Sequence, residues 1–202
     1  MNPSVLPLHV FPSVSWFQEF VEQDSALLEV HENWVKQSFR SRYEIAGPNG
    51  RQSLSIPTLK KSRTTLKDVQ ISYSEDWVTN HLRSIKTAYN RSPFYEFYAH
   101  GFENILQQKT KFLIDLNIKS IEFGVQYLQL DKEITCSDAY RGLDVIERDN
   151  KRQVITYHQV FEEKYGFVEN LSFLDLSFNC GPSSVSYFSC SSSTTPLLLI
   201  FS

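Results

Sequence analysis

Across residues 111–128, Ile114, Ile118, Ile121, Val125 and Leu128 recur at helical spacing, with Phe112, Leu116, Phe123 and Tyr127 beside them. An apolar face this wide cannot be covered from one side. The pattern therefore predicts a helix largely enclosed by the rest of the chain, and the other segments must supply layers around it. The 202 residues suffice for one domain with a real core, and a hydrophobic fraction of 41% is ordinary for a globular protein.

Those layers can be read in order. Residues 5–11 have strand character, Ser13 can cap a short helix carrying Val14, Phe17, Phe20 and Val21, and residues 26–30 read as a second strand. Strand, helix, strand hints at a parallel pair. Residues 43–46 and 52–56 flank Gly47-Pro48-Asn49-Gly50, and Asn-Gly is a strong hairpin signal because both residues tolerate positive φ. Residues 68–73 alternate and read as a further strand, and 134–136 as a brief one. Residues 101–108, 157–165 and 171–179 read as short helices, the last capped by Asn170 or Ser172. Residues 138–152 are charged and lack periodicity, as a mobile surface loop would. The expected fold is α+β, a small mixed β-sheet including an early hairpin packed with several helices, with α/β as the alternative. Residues 1–188 form the expected single domain, followed by a Ser/Thr-rich tail over 189–202 with a short apolar end.

The most informative helix lies within residues 68–100. Ser74 is a good N-cap, with Glu75 and Asp76 on the first turn, and Val78, Leu82, Ile85 and Tyr89 form one apolar stripe. Trp77, His81, Ser84 and Ala88 form a second row along its edge. A histidine there can act as a general acid or base, or as a donor to an anionic substrate. It can equally be a half-buried histidine bonded to a backbone carbonyl. Pro93 cannot continue the helix, and the rings of Phe94, Tyr95, Phe97 and Tyr98 read as core closure.

Arg40 and Arg42 are two residues apart, so in an extended segment they point the same way. Two guanidiniums on one face, with Lys36 nearby, suit a carboxylate or phosphate. The competing reading is a solvent-facing alternation beside Phe39 and Tyr43.

Several classes are disfavoured. A formal charge of −3 argues against a nucleic-acid partner, and Lys60, Lys61, Arg63 and Lys67 read as a solvated loop. Cys136, Cys180 and Cys190 show neither metal-ligand nor disulfide spacing, so no metal is expected and a reducing compartment fits. Residues 1–15 lack a signal-peptide pattern, and no window approaches the ~20 apolar residues of a membrane span. A cytoplasmic protein follows from these features. No P-loop, GxGxxG or GxSxG is present, and no cofactor is expected.

Three blocks, KQSFRSRYEIAGPNGRQSLSIP, DVQISYSEDWVTNHLRSIKTAYNRSPFYEFY and YHQVFEEKYGFVENLSFLDLSFNCGP, come in the order of the WbqC-like protein family, which the chain resembles from residue 6 to about 187. The positions that match are Lys36, Gln37, Arg40, Arg42, Trp77, His81, Tyr89, Ser92, Pro93, Gln159, Asn170, Asp175, Asn179 and Gly181. Many relatives begin with a His-Gln-Pro-Asn-Tyr-Leu-Pro segment. Here Leu6 stands in the place of that histidine, so if that histidine is catalytic in relatives, this protein either lacks the step or uses His9 or His81 instead. The resemblance implies a bacterial protein of surface-polysaccharide (O-antigen) biosynthesis that transfers an aminoacyl group such as glycine, or another acyl group, to a sugar intermediate. It would make His81 and Asp175 catalytic, and Lys36, Arg40, Arg42, Trp77, Gln159 and Asn179 substrate-binding. The alternative is a non-catalytic sugar- or nucleotide-sugar-binding or assembly module of the same pathway. Either way the expected partner is a small-molecule or sugar-linked substrate.

Overall fold

The structure is a computed structural model and describes residues 4–23, 26–59, 64–142 and 154–188. In chain order its elements are β1 (Ser4–Pro7), α1 (Val14–Glu22), β2 (Ala26–Glu29), β3 (Arg42–Gly47), β4 (Gly50–Ser55), α2 (Trp77–Tyr89), α3 (Tyr95–Gln107), α4 (Leu113–Tyr127), β5 (Thr135–Cys136), α5 (Glu162–Tyr165) and α6 (Phe173–Cys180). Short 3-10 turns cover Leu66–Asp68 and Gly181–Tyr187. The tail from 189, most of the charged loop and the basic residues 60–63 lie outside the described residues.

The class is α+β, with parallel and antiparallel pairing divided between two small sheets. β1 and β2 pair in parallel across α1, and β5 joins β2 in parallel to give the order β1-β2-β5. Ser13 caps α1 by accepting the Trp16 N–H, and the helix buries Trp16, Phe17 and Phe20. The second sheet is the hairpin β3-β4, in which Gly47 faces Gly50. Of the Asn-Gly pair only Gly50 takes a positive φ (+94°), so Pro48 and Asn49 form the turn ahead of one left-handed glycine.

Four local expectations are corrected. The α2 cap is Asp76, whose side chain accepts the Thr79 N–H, so Ser74 lies outside the helix. Residues 68–73 form no strand; Gln70 and Ile71 make isolated bridges to Phe112 and Thr58 after a 3-10 turn. The short helix expected over 101–108 starts earlier, as α3 from Tyr95, and buries Tyr95 and Tyr98, so those rings do close the core. Residues 157–161 run without helix because the Gln159 side chain is engaged across the turn to Val168, and only Glu162–Tyr165 coils.

The enclosed helix is α4. It buries Leu113, Leu116, Ile121 and Phe123 and also two polar residues that the apolar pattern does not flag, Asn117 and Ser120. Ser120 Oγ accepts the Phe11 N–H at 2.9 Å, and Asn117 Nδ2 donates to the carbonyls of Leu8 (3.2 Å) and Arg40 (2.9 Å). The core helix thus holds the loop leaving β1 against the loop entering β3. None of the described helices is long and apolar enough to cross a membrane.

Gly124 lets α4 approach α1 closely, because a Cβ there would meet the Phe17 ring, itself fully buried. Gly124→Ala is expected to destabilise the protein by about 1–3 kcal/mol, the usual cost of overpacking a core. Urea denaturation followed by tryptophan fluorescence checks this; an unchanged midpoint would mean that the helices are free to separate.

Candidate functional site

α2 lies along β3 and is fastened to it at two places. Near its start, His81 Nδ1 is 3.0 Å from the Tyr43 hydroxyl and Nε2 is 3.2 Å from the Ser55 carbonyl oxygen. A carbonyl only accepts, so Nε2 carries the proton and Nδ1 receives the tyrosine O–H. Trp77 meets the ring edge-on at 5.0 Å, donates Nε1–H to the Ser72 carbonyl and stacks on Tyr73. His81 is only 4% exposed. Burial lowers its pKa to about 4, opposed by the bond to Ser55, so the ring is neutral at pH 7.

Two turns on, the buried Tyr89 hydroxyl accepts the Ala46 N–H at 3.1 Å and donates to Asp175 Oδ1 at 2.7 Å. Asp175, in α6, is fully buried. Its Oδ2 accepts from the Tyr157 hydroxyl and from Gln159 Nε2, each at 2.8 Å. Burial raises the carboxyl pKa, against the lowering by these three bonds. Gln159 also exchanges bonds with the Val168 backbone. Asn179 Nδ2 donates to the Asp175 carbonyl, and Ser92 Oγ to Asn179 Oδ1. Tyr89, Tyr157 and Gln159 therefore gather around the buried carboxylate of Asp175, while Asn179 holds the Asp175 main-chain carbonyl. His81 makes its bonds to the hairpin instead.

The two arginines part company. Residues 36–41 are turns and bends, with Gln37 at φ +56°, so the extended path that would align Arg40 with Arg42 is absent. Arg40 is buried and paired in bidentate fashion with the buried Glu32, Nε to Oε1 at 2.6 Å and Nη2 to Oε2. That pair is internally neutral. Arg42 opens β3 next to Tyr43, and alternation along the strand sends its side chain to the face opposite Tyr43 and His81. Its guanidinium lies 5.6 Å from the Phe39 ring centroid, and its Nε is buried without an acceptor. Lys36 is exposed.

Two further groups stand at the carboxyl ends of the parallel strands. Glu29, closing β2, is fully buried and accepts from the His31 N–H (2.7 Å), Ser137 Oγ (3.0 Å) and the Arg141 N–H (2.8 Å). This carboxylate clasps β2 to the segment after β5. His9, two residues past β1, has its ring 5.7 Å from Phe39 and its Nε2 buried with no partner. Burial, then the charge of Arg40, lower its pKa to about 3. Sequence reasoning named His9 only as a stand-in for another histidine and passed over Glu29, Glu32 and Asn117; nothing in their spacing marks them. Among the described residues no group of three or more His, Cys, Asp or Glu could hold a metal ion. An open groove of about 500 Å³ beyond the end of α4, lined by Glu122, Gln126, Lys132 and Glu133 among others, includes none of these groups.

The sequence model of the WbqC-like protein family matches residues 9–155. No curated protein and no solved structure matches the chain. The matched span holds His9, Lys36, Arg40, Arg42, Trp77 and His81 and ends before Gln159, Asp175 and Asn179.

The depressed pKa of His81 gives a pH dependence of fixed sign. The unfolded chain takes up this proton near 6.5 and the folded chain only near 4, so stability present above pH 6.5 is lost as pH falls towards 4. Relative to His81→Gln, the wild type is expected to lose on the order of 2–3 kcal/mol across that window, following roughly 1.4 kcal/mol per pKa unit. Urea titrations of both proteins at a series of pH values measure the difference; parallel curves would contradict the buried, neutral ring.

Proposed function

The chain belongs to the WbqC-like protein family, and from that premise we propose that it serves bacterial surface-polysaccharide (O-antigen) assembly as a binding module for a sugar-linked or nucleotide-sugar intermediate. One observation carries the choice of binding over catalysis. The two proton carriers to which the family resemblance points are engaged inside the protein, His81 through both ring nitrogens and Asp175 through both carboxylate oxygens. General acid–base work needs a group within hydrogen-bond reach of the substrate and a pKa near the working pH. Neither His81 nor Asp175 has a ring nitrogen or carboxylate oxygen without a protein partner. Recognition asks less: a cation such as Arg42 for the anionic part of the ligand, and polar groups with unused bonding capacity.

A second reading, aminoacyl or acyl transfer to a sugar, draws on the neutral state of His81 at pH 7, the form a general base must have. In that reading Trp77 walls the sugar, and the ring exchanges its bond to Tyr43 for one to the acceptor amine.

The two readings separate in one experiment. UDP-glucosamine, which offers a free amine, is titrated into the protein by calorimetry and then incubated with it and acetyl-coenzyme A for mass analysis. Binding with the nucleotide sugar recovered at unchanged mass is the expected result. An acylated product formed by the wild type and absent with His81→Ala would replace the proposal by the transferase reading, and the absence of any binding would remove it.

A further inference from the structure

Most of the polar groups buried in this protein are satisfied by partners of its own, as in folded proteins generally. Three exceptions stand together. Among the described residues, His9 Nε2, Arg42 Nε and Asn117 Oδ1 are three of the five buried side-chain atoms without a hydrogen-bond partner. Phe39 is the point they share: the His9 ring lies 5.7 Å and the Arg42 guanidinium carbon 5.6 Å from its centroid. Asn117 belongs to the same place, because its amide donates to Leu8 and Arg40, the chain neighbours of His9 and Phe39. The two loops are also joined directly, Val10 N–H to the Phe39 carbonyl at 3.0 Å. The site lies just beyond the carboxyl end of β1, where ligands of open parallel sheets bind. Its loops carry two non-glycine residues at left-handed φ, Phe11 (+40°) and Gln37 (+56°), a costly conformation that tends to persist where a site requires it.

We infer that His9, Phe39, Arg42 and Asn117 form one subsite for an anionic group adjacent to a hydroxyl, the chemistry shared by a glycosyl phosphate and a sugar carboxylate. The inference deepens the binding reading above and rests on it for the sugar.

The charge distribution selects this ligand. Glu32 neutralises Arg40 and makes the pair a wall, so of the two arginines it is the half-buried Arg42 that would meet the anion, through a charge-assisted bond. His9 is neutral at pH 7 and can donate to or accept from a hydroxyl, which a second cation could not. Asn117 offers only an acceptor, since its amide is taken, and so calls for a ligand O–H. A hydroxyl bridging His9 and Asn117, with the anion on Arg42, would satisfy all three atoms. Phe39 would lie beneath the ligand as its apolar floor.

The test is calorimetric titration of the full chain with four probes: glucose 1-phosphate, glucuronate, glucose and inorganic phosphate. At least one of the first two is expected to bind more tightly than either single-function probe, and which of them does identifies the phosphate or the carboxylate. Arg42→Met is expected to weaken that binding by roughly tenfold or more, the scale of a lost charge-assisted bond. His9→Phe should weaken it several-fold and His9→Gln much less, because the amide keeps the donor and acceptor. Thermal melts confirm that each variant is folded. In the folded wild type labelled with 15N-histidine, the bound probe should also shift the Nε2 resonance of His9, which His9→Gln assigns by its disappearance. Equal affinity of wild type, Arg42→Met and His9→Phe would overturn the subsite while leaving the binding reading in place. Failure of all four probes to bind the wild type overturns the subsite, and UDP-glucosamine binding then decides the wider reading separately.

Discussion

The buried carboxylate of Asp175 sets the terms on which the rest of the molecule packs. An ionised group without water is costly unless its lone pairs are occupied, and here two tyrosine hydroxyls and one amide occupy them. Those donors come from α2 and from the segment ahead of α5. Tyr89 extends the network further, because its oxygen also takes the Ala46 N–H from β3. One side chain therefore ties together α6, α2, the hairpin and an otherwise irregular stretch. Replacing any donor would leave a partly unmatched charge in the interior, so the network behaves as a unit. Tyr157 and Gln159 explain how residues with little regular structure of their own stay ordered.

The hairpin passes this constraint to the other side of the molecule. Tyr43 and Ile45 are buried on one face of β3, where Tyr43 meets His81 and Phe11. Arg42 and Glu44 alternate to the other face, each only half buried. Once Tyr43 and Ala46 are held by α2, strand alternation sets the direction of Arg42, whose guanidinium then lies over Phe39. Strand alternation thus separates the imidazole of His81 from the guanidinium of Arg42, although the Arg42 backbone pairs with Ser55, the residue that binds His81.

Much of this was legible in the sequence where one local rule dominates. Ser13 before an apolar helical pattern, Asn49-Gly50 between two short strands, and the isoleucines of α4 gave elements close to those observed. The misplacements arise where a side chain competes for the backbone. Asp76 takes the cap because it sits immediately before the first helical residue, while the hydroxyl of Ser74 is occupied with Ser72. The site was less legible for a different reason. Arg40 and Arg42 look like a matched pair only if the chain between them is extended, and the chain is in a turn at Arg40 and a bend at Ser41 before β3 begins. Glu32 lies eight residues before Arg40, a separation no short-range pattern detects, and Asn117 hides within an apolar periodicity.

Bonding state, more than residue type, distinguishes the polar groups that hold this protein together from those open to a ligand. Asp175, Glu29, Glu32 and His81 have the chemistry of active-site residues, yet each meets its partners within the chain. His9, Arg42 and Asn117 look less reactive and keep an unused donor or acceptor below the surface. Two other buried hydroxyls, Thr110 and Ser177, share that property and bring no charge with them. The span matched by the family includes His9, Arg42 and Asn117 and stops short of Asp175, Tyr157 and Gln159. If membership in the family rests on what its proteins recognise, the residues that express it should lie inside that span. His9, Arg42 and Asn117 do, and the best-bonded carboxylate in the core does not.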